Sequence, residues 1–68
     1  MTQKTFDRIG LIPGTEVKLV LVGGKDVVGY FQSQGGGLVH LGDDRLPYRS
    51  RPINVDLEAV AAVVQLGR

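Results

Sequence analysis

The chain has 68 residues, no cysteine, one histidine and a formal net charge of +1. That length holds one domain at most, and a chain so short buries only about 60% of its unfolded surface, so it needs a staple. Missing thiols exclude disulfides and thiolate metal sites, a lone histidine argues against a histidine metal site, and near-neutral charge leaves no strong electrostatic footprint for nucleic acid or membrane.

Tight barrel closure and oligomerisation are the staples that remain. No apolar run approaches the ~20 residues of a membrane span. The opening Met-Thr-Gln-Lys-Thr-Phe-Asp-Arg carries no hydrophobic signal region, so a cytoplasmic location is expected.

The first element predicted is a short helix over residues 6–11, capped by Thr5, with Asp7 favourable in its first turn. Phe6, Ile9 and either Leu11 or Ile12 would face the core. Two turns hold only when packed, and an ordered arm without a helix is the alternative. Pro13-Gly14 ends the segment and turns the chain.

Strand one is expected over 16–22. Val17, Leu19 and Leu21 alternate onto one face, while Lys18, Val20 and Val22 leave the other face largely apolar as well. Gly23-Gly24 supplies the positive φ angles of a hairpin turn. Strand two follows over 26–33. Gly29 sits mid-strand, where glycine permits a bend or a close backbone approach.

A second turn is expected over 34–37, the run Gln-Gly-Gly-Gly. A phosphate-cradling loop would open a helix and carry a Lys-Ser/Thr pair; this one joins two strands, so it is expected to be a mobile β-turn. Strand three covers 38–41. The polar loop 42–52 gathers Arg45, Arg49 and Arg51 around Tyr48, with room for short strand extensions about a turn at Asp43-Asp44. Strand four covers 53–55, residues 56–58 form a 3₁₀ turn, and strand five covers 59–66, apolar on both faces. The last two residues are tail. Five short strands suit a closed or nearly closed antiparallel barrel.

The spacing Val17-x-Leu19-x-Leu21-x-x-Gly24-x-x-x-x-Gly29-x-Phe31 resembles the first motif of the Sm-like family, within the SH3-like barrels. Leu21-Val22-Gly23-Gly24, Phe31-Gln32-Ser33 and Leu38-Val39-His40-Leu41 are similar to its bacterial Hfq branch. The resemblance implies an all-β fold: a five-stranded SH3-like antiparallel barrel with a short N-terminal helix. It also implies subunits that join strand four of one to strand five of the next in a hexameric or heptameric ring. An apolar strand-five edge, which must be covered somehow, fits that expectation.

The family's base-binding residues do not carry over. Around the turn before strand three it has an acidic residue and a Met-Asn-like pair, where this chain has Gln34 to Val39. Before strand five it has Arg-Gly or Lys-His, where this chain has Asp56-Leu57-Glu58-Ala59. An RNA-binding ring would therefore draw on other groups. Single strands need cations for phosphates and aromatic faces for stacking. The candidates are Tyr48 with Arg45, Arg49 and Arg51, together with Tyr30, His40 and Lys25.

A second reading keeps the barrel and the ring as a protein-interaction or structural module without RNA. Low net charge and the acidic turn at Asp56 and Glu58 favour it. No enzyme activity, cofactor or metal is expected. The chain lacks G-x-S-x-G, and Asp56 and Glu58 make no convincing acid/base pair.

Overall fold

The computed structural model describes residues 1–67, with only the backbone of Pro47. Arg68, half of the expected tail, lies outside the described residues; Gly67, the other half, ends a strand.

Helix α1 spans Gln3–Ile9. It starts three residues before the predicted position because Thr2, not Thr5, is the cap: Thr2 Oγ1 accepts from the Thr5 N–H at 3.2 Å. Asp7 therefore falls outside the first turn. Gly10, at φ 67°, closes the helix in the left-handed conformation, with its N–H on the Asp7 carbonyl. Phe6 is the buried residue of this helix and packs against Phe31, ring centroids 6.0 Å apart. Ile9 and Leu11 are half-buried, whereas Ile12 is exposed.

The strands are β1 (Glu16–Leu21), β2 (Asp26–Gly35), β3 (Leu38–Gly42), β4 (Pro52–Asp56) and β5 (Val60–Gly67). All pairings are antiparallel, in the order β4-β3-β2-β1-β5. The sheet is not closed, which overturns the closed form of the expected barrel and leaves the nearly closed one: β4 and β5 are its two edges. It nevertheless curls around one core, because Val55 of β4 and Val60 of β5 join the cluster of Phe6, Val17, Leu19, Phe31, Val39, Leu41 and Leu57.

The turns follow from the glycines. Gly36 and Gly37 have φ 58° and 78°, so two residues with positive φ connect β2 to β3 in the manner of a type I′ hairpin. Strand β2 therefore runs on to Gly35. At the β1–β2 turn only Gly24 has positive φ, at 86°; Gly23 does not. The Gly24 N–H meets the Leu21 carbonyl and the Leu21 N–H meets the Lys25 carbonyl, a three-residue loop with one left-handed position.

Gln32 is an extra residue in β2. Phe31 pairs with Leu41 and Ser33 with His40, so Gln32 forms a bulge. Phe31 and Gln34 are three apart and would point to opposite faces of a regular strand. The bulge turns both toward α1. Gln34 exchanges hydrogen bonds with Gln3 at 2.6 Å and Asp7 at 3.2 Å, beside the Phe6–Phe31 contact.

Residues Leu57–Ala59 form the 3₁₀ turn between β4 and β5. The Leu57 N–H donates to the Gly37 carbonyl, and the Met1 nitrogen donates to the carbonyls of Leu57 and Val60, so the N-terminal arm is tied to this connection. No helix among the described residues is long and apolar enough to cross a membrane.

Candidate nucleic-acid interface

Residues 43–51 leave the sheet after Gly42 and return at Pro52. The expected strand extensions do not form there. Instead the segment bends and contains a 3₁₀ turn, Pro47–Arg49. Its side chains fix its own backbone. Asp43 Oδ1 accepts from the Arg51 N–H at 2.8 Å and so clamps the loop across its mouth. Asp44 Oδ1 accepts from the Leu46 N–H at 3.0 Å. The Ser50 hydroxyl donates to the carbonyls of Leu46 and Asp44. Both aspartates thus have a structural task, which explains two acids among three arginines.

This loop presents Tyr48 to solvent at 78% exposure. The Arg49 guanidinium lies over its ring, 5.7 Å from the centroid, within range of a cation–π contact. An aromatic face and a cation held together are what a single-stranded nucleotide needs, one for its base and one for its phosphate. Arg45 and Arg51 are exposed on the same loop.

Tyr30 stands on the sheet face opposite the core, since Gly29 and Phe31 on either side of it are buried. It pairs with Glu16 on β1 and Gly42 on β3. A pocket of about 340 Å³ brings it together with Arg45, Glu16, Asp43 and Asp44. His40 lies on that same outer face, between buried Val39 and Leu41. Its Nδ1 donates to Asn54 Oδ1 at 2.7 Å on the neighbouring strand, which fixes the ring and leaves Nε2 available.

Lys25 is apart from the others. It flanks the β1–β2 turn, at the end of β1 opposite Glu16, and is exposed there. Six of the seven predicted residues therefore belong to the outer face or its loop, and Lys25 does not join them.

Sequence reasoning missed Glu16, Gln32 and Gly42. Gln32 Nε2 is buried without a hydrogen-bond partner. A Cβ on Gly42 would collide with that amide and with Ser50, so the loop packs onto the sheet only because residue 42 is glycine. The one visible signal was a glycine between apolar Leu41 and the acidic pair. Among the described residues no group of three His, Cys, Asp or Glu side chains is placed to hold a metal ion. No family model, curated protein or solved structure matches this chain.

Proposed function

We propose that this chain is an Sm-like, SH3-like barrel subunit of a cyclic homo-oligomer that binds single-stranded RNA. The observation that carries the reading is the strand order β4-β3-β2-β1-β5, which leaves β4 and β5 as free edges at opposite margins of one curled sheet. The family resemblance implies joining through those two edges. A head-to-tail contact of this kind closes into a ring when the rotation between subunits allows. Val64 and Leu66 on β5 are 41% and 48% exposed, apolar area that a neighbour would cover.

RNA binding is supported by the loop. Tyr48 and Arg49 offer stacking and charge, Arg45 and Arg51 add cations from the same loop, and His40 lies on the outer face with Tyr30. Each site is weak alone, and repetition around a ring raises the total affinity by avidity. Titration of labelled oligo(U) and oligo(A) with the protein at ~50 mM salt tests this, because phosphate contacts are strongest there. Binding that weakens as salt rises is the expected result; no binding under those conditions removes the RNA reading.

The protein-interaction reading draws on a different place. The Gly36-Gly37 turn and the Leu57–Ala59 turn touch through the Leu57–Gly37 hydrogen bond, and the side chains nearby are Asp56 and Glu58. Acidic groups there repel phosphate. A purified protein that carries a protein partner and no nucleic acid would favour this second reading.

A further inference from the structure

The pocket beside Tyr30 has a chemistry distinct from the rest of the loop. Glu16, Asp43 and Asp44 face a single cation, Arg45, around one half-buried aromatic ring. Three carboxylates against one guanidinium repel a phosphate. They favour instead a neutral, donor-rich, planar group. Asp43 and Asp44 each commit Oδ1 to a backbone N–H, so Glu16 supplies the pocket's carboxylate that no loop clamp employs.

Among the four RNA bases, guanine alone presents two adjacent donors, N1–H and the N2 amino group, to a carboxylate. Its other edge presents two acceptors, O6 and N7, to a guanidinium. Uracil places a carbonyl on each side of its one donor, and those carbonyls repel a carboxylate. Adenine and cytosine each set an acceptor beside their amino group. We infer that this pocket receives a guanine base of single-stranded RNA. Tyr30 stacks on it, Glu16 accepts from N1–H and the N2 amino group, and Arg45 donates to O6 or N7. Arg49 and Arg51 hold the flanking phosphates. The inference rests on the RNA-binding reading and assigns its base preference.

The test compares the intact protein on labelled uridine octamers in which one central residue is uridine, guanosine or inosine. Inosine keeps O6 and N7 and lacks the N2 amino group. The guanosine octamer is expected to bind about tenfold tighter than oligo(U), the discrimination of one good bidentate contact, with inosine losing most of the gain. Glu16→Gln should erase the guanosine preference, so that the guanosine and uridine octamers bind the variant alike. Equal binding of all three octamers overturns the guanine pocket while RNA binding stands. Binding of none overturns both.

Discussion

Gly29 lies so close to Gly42 that a Cβ built on it would sit 2.9 Å from the Gly42 carbonyl oxygen. It would also be 3.2 Å from the Leu41 Cβ. The end of β3 folds over the middle of β2 at this point, and glycine makes the approach possible. Gly29→Ala therefore presses a methyl group against backbone that has no rotamer to yield. We expect a loss of about 1–3 kcal/mol, the usual cost of overpacking, read as a lowered midpoint in urea unfolding. Wild-type stability in the variant would contradict the bend.

Gly42→Ala acts differently. The atoms in its way are side chains, Gln32 and Ser50. Ser50 would have to move and give up its bonds to the Leu46 and Asp44 carbonyls. Loop 43–51 should then loosen while the sheet persists. Hydrogen exchange of the Arg49 and Arg51 amides reports this, and faster exchange confined to the loop is the expected outcome.

In the β2–β3 turn, the left-handed conformation of Gly36 separates residue types. Asparagine tolerates it, and β-branched residues do not. Gly36→Asn should be nearly neutral, while Gly36→Val should cost roughly 1–2 kcal/mol by thermal or urea unfolding. Equal effects of the two substitutions would argue against the type I′ geometry.

Phe6 joins the helix to the sheet. Phe6→Ala removes its ring from Phe31 and opens a cavity, at a cost of about 3–5 kcal/mol. In a domain of this size that is a large share of the total stability. Thr2→Ala removes only the cap and should cost about 0.5–2 kcal/mol. The ranking of the two variants by unfolding midpoint checks whether packing outweighs capping in a two-turn helix.

Tyr48 is exposed, so its removal tests function without stability. Tyr48→Ala and Arg49→Ala should leave the unfolding midpoint within about 0.5 kcal/mol of wild type. Each should weaken oligonucleotide binding, Tyr48→Ala by about 1–3 kcal/mol for a lost stacking contact. Unchanged affinity in both variants would remove the loop from the interface.

Much of the sheet was legible because apolar alternation at Val17, Leu19 and Leu21 and the glycines at 24, 29, 36 and 37 act locally. The helix moved by one turn because two threonines three residues apart are equally good caps on paper. Packing of Phe6 on Phe31 and the Gln34 bonds to Gln3 and Asp7 select between them. The bulge at Gln32 left no mark in composition, and it alone lets Phe31 and Gln34 face the helix together. Whether the barrel closes was left open, because alternation describes faces and not edges. Loop 43–51 was legible only as a cluster of residue types. Its shape comes from Asp43, Asp44 and Ser50 bonding to backbone within it, and no periodicity encodes that. Lys25 was grouped with the loop on charge alone, and the hairpin places it at the other end of β1.

In the proposed ring the free edges of β4 and β5 meet between chains. Mass measurement under native conditions tests it most directly. One dominant species of six or seven chains, stable on dilution, is the expected result. A monomer at every concentration would contradict it.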